Sequence, residues 1–243
     1  MAQFGIIGSK GRMGQAIAAV LESEEHTLAG GVDAGEDITS LAAKADALID
    51  FSAPVALAGN LSAAMTAGVP ILIGTTGLED KHFAAIEEAC ASIPVLQTGN
   101  TSLGVTLLSY LVREAASRLG PDWDIEVLEM HHRMKVDAPS GTAKLLGEAA
   151  AQGRDISLAD HSVTVRDGHT GAREEGTIGF ATLRGGTVAG EHSVILAGQE
   201  ERITLSHLAE NRTIFARGAV RGAAWLIGRE PGRYRMEDVL DIN

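Results

Sequence analysis

Residues 2–14 read A-Q-F-G-I-I-G-S-K-G-R-M-G. Ala2–Ile7 is a short apolar run, which predicts a buried parallel strand. Gly8, Gly11 and Gly14 follow at three-residue spacing, and from Met13 onward Ile17 and Val20/Leu21 recur on one helical face. A glycine loop between a strand and a helix has a physical use. It permits a tight turn and lets backbone N–H groups approach a pyrophosphate at the positive end of the helix. Ser9, Lys10 and Met13 belong to this loop, and Arg12 adds a charged donor. Asp33 ends the next strand, Thr27–Val32, about 20 residues beyond the loop, where a carboxylate accepts hydrogen bonds from adenosine ribose hydroxyls. The loop alone fits a sharp turn with close helix packing equally well. Loop, placement and Asp33 together point to a dinucleotide.

The same grammar continues outward. A strand at Ala47–Phe51 leads to a helix opening at Ser52-Ala53-Pro54 and stopping at Gly68. Val69–Ile73 is a strand ending in Gly74-Thr75-Thr76-Gly77, a helix runs from about Glu79 to Ala91, and the strand Pro94–Gln97 ends in Thr98-Gly99-Asn100-Thr101-Ser102. This alternation predicts right-handed crossovers and a parallel, doubly wound sheet. Both turns fall at the carboxyl ends of its strands, where open α/β sheets bind ligands, and are assigned to the nicotinamide half.

Past Ser102 the pattern changes. A helix at Leu103–Leu119, a strand at Trp123–Met130 and a helix at Thr142–Gly153 precede short strands separated by glycine turns from Ser162 to Ala209. That predicts a mixed or antiparallel sheet. A last helix, Thr213–Ile227, packs back on the first domain. The expected architecture is therefore α/β: residues 1–102 and 213–243 form a Rossmann-type dinucleotide-binding domain completed by the C-terminal helix, and residues 103–212 form a central α+β domain.

The 243 residues, 45% of them hydrophobic, suit a soluble globular protein whose core needs no staples. Cys90 is the single cysteine, and neither a leader pattern nor a run near the roughly 20 residues of a membrane span is visible, so cytoplasmic residence is expected. A net charge of −12 argues against nucleic acid and anionic membranes as partners. Any anionic ligand must then find local cations, which draws attention to Lys10, Arg12, His132, Lys135 and Lys144.

The densest chemistry lies in E-V-L-E-M-H-H-R-M-K-V-D-A-P-S-G-T-A, residues 126–143. In an extended strand Glu129 and His131 share one face and His132 points the other way. His131 is a natural proton donor near neutral pH, Lys135 is a point charge suited to a carboxylate, and Ser140-Gly141-Thr142 opening a helix offers an anion seat. A lone strand histidine is more often packed than catalytic, but two histidines, a lysine and a helix N-terminus in one segment favour chemistry. No metal is expected, because the histidines are adjacent rather than on one helix face and Cys90 is isolated. Pro139-Ser140-Gly141-Thr142 is not a nucleophile elbow. His192 and the remaining histidines read as structural or surface residues.

That run, together with G-S-K-G-R-M-G at residues 8–14, G-F-A-T-L-R-G-G-T-V-A-G-E-H and F-A-R-G-A-V-R-G-A-A-W-L, closely resembles the 4-hydroxy-tetrahydrodipicolinate (dihydrodipicolinate) reductase family over essentially the whole chain. The resemblance implies NAD(P)H-dependent reduction of a small cyclic dicarboxylate with loss of water, in the diaminopimelate route to lysine. It also implies that the central domain binds substrate and forms a homotetramer through its sheet. His131 and Lys135 are then the proton-handling pair, and His132 with Ser140, Gly141 and Thr142 the substrate contacts. Gly8, Ser9, Lys10, Gly11, Arg12 and Met13 form the pyrophosphate loop, and Asp33 is the ribose acid. Gly74, Thr75, Thr76, Thr98, Gly99, Asn100 and Thr101 form the nicotinamide loops. Arg184 and Arg212 are further carboxylate partners to consider, while Glu129 and Asp137 support fold and orientation.

Two departures stand out. Thr101 occupies a position where much of the family has an aromatic. Ala34 stands where some members carry an arginine for the 2′-phosphate, which with Asp33 predicts a preference for NADH. Competing expectations are another two-domain oxidoreductase with a different anionic substrate, or a cofactor sensor without turnover. Since the charged run lies outside the cofactor domain, hydride transfer is expected to need the two domains to close.

Overall fold

The computed structural model describes residues 1–242. The chain folds as two compact units, one of Met1–Leu103 with the chain from Thr213 onward, the other of Gly104–Arg212.

In the first unit the alternation of apolar runs and amphipathic stretches gives β1 (Gln3–Ile7), α1 (Arg12–Ser23), β2 (Thr27–Val32), α2 (Ile38–Ala42) and β3 (Ala47–Asp50). A 3-10 turn at Pro54–Ala56 leads into α3 (Leu57–Ala67), followed by β4 (Ile71–Ile73), α4 (Asp80–Cys90) and β5 (Pro94–Gln97). Proline starts the turn because its missing N–H has no partner there in any case. Gly68 ends α3 at φ +66°, a left-handed cap that costs glycine little.

The second unit takes most of α5 (Leu103–Arg118), then β6 (Asp124–His131), α6 (Gly141–Gly153), α7 (Leu158–His161), β7 (Ser162–Val163), β8 (Ile178–Arg184), β9 (Gly190–Ala197) and β10 (Arg202–Ala209). The chain then returns to the first unit with α8 (Thr213–Leu226), β11 (Gly232–Tyr234) and α9 (Met236–Val239).

The first sheet runs β11-β5-β4-β3-β1-β2, every pair parallel. Strand order reverses between β1 and β3, and the carboxyl ends of those two strands open a crevice. Its strands read as unbroken apolar runs because both faces are covered. Leu48, Ile71 and Ile73 face a core with Leu57, Leu61 and Ile86, while Ile6, Ile49 and Leu72 face one with Ile17, Leu21 and Val220.

The second sheet runs β10-β9-β6-β8-β7, antiparallel from β10 to β6 and parallel from β6 to β7. On β6 burial alternates strictly. Ile125, Val127, Glu129 and His131 turn to the helices, and Ile125 and Val127 pack with Leu108, Val112, Leu146 and Ala150. The core face thus changes from apolar to polar toward the strand's carboxyl end.

The first of the short strands expected from Ser162 onward is present only at Ser162–Val163. Arg166 instead forms a bidentate pair with Glu126 at 2.8 Å, and the strand stops where the chain leaves for that contact. No helix among the described residues is long and apolar enough to cross a membrane.

Candidate active site

The glycine loop is held by its own backbone and by Asp33. Gly8 lies at φ +83°, and a Cβ there would stand 2.6 Å from the Phe51 carbonyl oxygen. A Cβ on Gly14 would overlap the Gly8 carbonyl, so strand, loop and helix approach as closely as backbones can. Gly11 is the N-cap of α1 with no side chain to satisfy the first N–H groups, which leaves them to a ligand. Arg12 and Met13 open the helix, with Arg12 exposed.

Ser9 Oγ donates to Asp33 Oδ2 at 2.8 Å and the Lys10 N–H to the same oxygen at 3.1 Å. Lys10 Nζ pairs with Glu36 at 2.7 Å, which raises the lysine pKa and lowers that of the glutamate. Glu36 is a residue the sequence reading passed over, and it sets a second carboxylate beside Asp33. Asp33 and Glu36 rim a cavity of about 360 Å³ whose walls include Ile38, Phe51, Val55 and Ala56.

The turns after β4 and β5 rest on buried polar anchors. Asp50, fully buried at the end of β3, accepts from Ser52 N–H at 2.8 Å, Ser52 Oγ at 2.6 Å, Asn60 Nδ2 at 2.9 Å and Thr75 Oγ1 at 3.2 Å. Gly74 lies flat on the Phe51 ring, where a Cβ would overlap, and Thr76 is exposed beyond it. Thr98 Oγ1 donates to the Asn100 carbonyl at 2.9 Å and accepts from the Asn100 N–H, with Gly99 between them, while Asn100 Oδ1 accepts from Ser102 N–H at 2.9 Å. Thr101 is buried and its hydroxyl donates to the Phe215 carbonyl at 2.7 Å. In place of the aromatic ring expected there, this chain has a side chain turned inward onto α8.

In the second unit Glu129 is the hub. It is 1% exposed and accepts from Arg184 Nη1 at 2.7 Å and Nη2 at 2.9 Å, from His131 Nδ1 at 2.5 Å and from the Ser140 N–H at 3.1 Å. Burial pushes its pKa up, but the bonds from Arg184, His131 and Ser140 outweigh it and the net shift is downward. Burial lowers the His131 pKa; Glu129 opposes this, Lys135 and Arg184 reinforce it, and the imidazole ends below its ordinary value. The centre therefore holds a charged acid, a charged guanidinium and an imidazole that is neutral above its lowered pKa.

Arg184, considered as a ligand for substrate, is committed to Glu129 and to the Asp137 carbonyl. Lys135 is largely buried and its Nζ pairs with Asp137 at 2.8 Å, which holds the aspartate pKa down. His132 points away from His131: its N–H donates to the Val188 carbonyl, and its Nε2 lies 3.0 Å from Arg212. Together with Thr187 and Asn211, these two line a cavity of about 730 Å³.

Ser140 is buried, and its hydroxyl accepts from the Ala143 N–H as the N-cap of α6 and meets His192 Nε2 at 3.1 Å. The part of the expected anion seat that faces outward is the start of α6, exposed Gly141 and half-buried Thr142. His192, expected from the sequence to be a structural or surface residue, thus belongs to the centre. Burial, and next the nearby His131, hold its pKa down to about 4. Only the strand register, which sets it opposite Glu129, reveals it. Among the described residues no group of three or more His, Cys, Asp and Glu side chains is disposed to hold a metal ion.

Residues 2–101 match the family model described as dihydrodipicolinate reductase, N-terminus, and residues 104–240 the one described as its C-terminus. A 4-hydroxy-tetrahydrodipicolinate reductase of Chelativorans sp. is 54% identical, covering 97% of this chain and 94% of its own length. The chain belongs to the dihydrodipicolinate reductase family. It shares the NAD(P)H-dependent reductase role of that family in lysine biosynthesis. The reductase of the same name from Zymomonas mobilis is 50% identical, over 99% of this chain and 97% of its own. Among solved structures, a dipicolinate-bound dihydrodipicolinate reductase from Paenisporosarcina sp. TG-14 shares the fold at TM-score 0.76, 21% identity and 97% coverage of both chains. A probable dehydrogenase from Thermotoga maritima follows at TM-score 0.58 and 13% identity, over 98% of this chain and 92% of its own.

Proposed function

We propose that this reductase takes 4-hydroxy-tetrahydrodipicolinate as a dicarboxylate on its central unit and handles the reaction's proton with His131 and Lys135. The observation that carries this is the Glu129–His131 pair, set beside Lys135 and the N-terminus of α6 at the polar end of an otherwise apolar strand face. The pyrophosphate is held by the N–H groups of Gly8–Met13 and by Arg12, the ribose by Asp33, and the carboxamide end by the turns Gly74–Thr76 and Thr98–Thr101. The bound cofactor supplies hydride to C4 of the ring after the 4-hydroxyl has left as water. Negative charge then remains on the substrate, and His131, once its Nε2 has taken up a proton to form the imidazolium, delivers that proton with the help of Lys135 and so neutralises it. His132, the α6 N-terminus at Gly141-Thr142 and Arg212 hold the carboxylates, with Ser140 fixing that helix end from beneath. Replacing both His131 and Lys135 with alanine is expected to lower kcat by orders of magnitude while the protein stays folded and binds cofactor. Full activity in that double variant would overturn the assignment.

NADH is the preferred cofactor in this reading. A 2′-phosphate would meet both Asp33 and Glu36, no cation follows at Ala34, and Lys10 is already engaged by Glu36. One tenfold preference corresponds to about 1.4 kcal/mol, a modest demand on two carboxylates. We expect kcat/KM for NADH to exceed that for NADPH by roughly tenfold or more; a ratio reversed in favour of NADPH would refute it. The enzyme works in the cytoplasm as a homotetramer. The face of the second sheet turned from the helices carries Leu128, Met130, Leu183, Ile195 and Leu208, with Leu208 63% exposed, an apolar surface for subunits to share. Sedimentation equilibrium giving a monomer would contradict the oligomer.

A further inference from the structure

We propose that Glu129 is a positioning residue that fixes the tautomer of His131 and, through its second oxygen, the place of the α6 N-terminus. The proposal rests on the reading of His131 as the proton-handling group and extends it to a residue that touches neither substrate nor cofactor. Oε2 of Glu129 takes the Nδ1–H of His131 at 2.5 Å. A carboxylate can only accept, so in the neutral imidazole the proton sits on Nδ1 and Nε2 carries the lone pair. Nε2 is the nitrogen left for chemistry. Gly190 lies beside it, and a Cβ there would stand 3.0 Å from Nε2, so the absent side chain keeps that edge of the ring clear.

Oε1 meanwhile accepts from the Ser140 N–H at 3.1 Å, and Ser140 is the N-cap of α6. One carboxylate therefore grips both the imidazole and the helix end proposed to seat the substrate carboxylate. The bidentate Arg184 holds that carboxylate in turn, with Thr182 Oγ1 at 3.3 Å, so its two oxygens cannot exchange roles by rotation. His192 closes the arrangement from the next strand, its ring 5.0 Å from that of His131 at 73° and its Nε2 on Ser140 Oγ. The charged and titratable groups facing His131 are thus Glu129 on its own strand, Arg184 on β8, His192 on β9 and Lys135 in the loop after β6. Of these Glu129 alone favours the protonated imidazole, and Lys135 and Arg184 oppose it.

Glu129→Gln is nearly isosteric, yet it sets an NH2 donor against Nδ1 or loses the charge-assisted bond. The neutral ring then turns over to the Nε2–H form and its pKa falls. We expect kcat to drop on the order of 10²-fold or more, with KM for substrate and Kd for NADH changed less than about threefold. The His131 limb of the kcat–pH profile should move to lower pH. Nitrogen-15 NMR of His131 should show Nδ1–H in the parent enzyme and Nε2–H in the variant. Glu129→Asp keeps the acceptor charge at a shorter reach, and should restore the parental tautomer and part of the kcat even where its melting temperature is lowered.

Loss of kcat in Glu129→Gln with the parental pH limb and tautomer intact would mean a merely structural role and overturn the proposal. An inactive His131→Ala beside a fully active Glu129→Gln would overturn the proposal alone. A fully active His131→Ala would remove the reading beneath it as well.

Discussion

His192 shows how one residue couples the core to pH. Its Nε2 meets Ser140, but its Nδ1 is buried with no hydrogen-bond partner, so a second proton would have nothing to bind. Burial first, and the charge of His131 next, hold its pKa near 4 in the folded protein, against about 6.5 when unfolded. At pH 7 the ring is neutral in the folded chain and mostly neutral in the unfolded one, so it adds little to the pH dependence. As pH falls below 6.5 the unfolded chain takes up a proton that the folded chain refuses, and stability drops until pH reaches about 4. The loss from this group is about 3 kcal/mol across that window. His192→Gln keeps a partner for Ser140 and cannot titrate, so its urea midpoint should fall less steeply from pH 7 to 4.5 than the parent's. Equal slopes would show that His192 is not the group responsible. Neither the pKa nor the partner was legible in H-S-V-I-L-A, where a histidine among apolar residues reads as filler. It took the register, which pairs His192 with Glu129 across two strands 63 residues apart in sequence, to give it meaning.

At the scale of elements the readable parts were those whose physics is local. Strand β1, the glycine loop and α1 announce themselves because apolar run, turn and 3.6-residue period follow one another within about 20 residues. The anchors of the turn after β4 were not readable, since Asp50 gathers Ser52, Asn60 and Thr75 from three different segments. Four short elements also escaped notice: α2, α7, β11 and α9 run for only three to five residues each, too few to show a period. Helix α8 was legible as a helix, but its closest contact was not. A Cβ on Gly218 would overlap the Thr101 carbonyl oxygen, so α8 lies directly against the turn assigned to the nicotinamide. Backbone cannot yield as a flexible side chain can. Gly218→Ala should therefore destabilise the protein by about 1–3 kcal/mol despite alanine's better helix propensity, and weaken NADH binding with it. A variant as stable as the parent, with parental Kd, would show that the turn accommodates the methyl group.

At the scale of the whole molecule the first unit is assembled from both ends of the chain, and this makes a distinctive demand on the C-terminal segment. β11 pairs in parallel with β5 and forms the edge of the sheet, while Met236 and Val239 of α9 fill the core against the helical face of α8. Ending the chain after Glu230 would strip β5 of its outer neighbour and leave that core open, removing two buried apolar side chains at about 1.5–3 kcal/mol each. The two tryptophans report the two units separately, Trp225 in the first and Trp123 in the second. In single-tryptophan forms of the truncated chain, the Trp225 unfolding transition should move to lower temperature and NADH binding should weaken. The Trp123 transition should move far less, because its packing around Ile125, Val127 and Leu196 uses no residue of the deleted segment. An equal shift at both reporters would mean that the two units unfold as one cooperative body, and that the C-terminal strand stabilises the second unit as much as the first unit it completes.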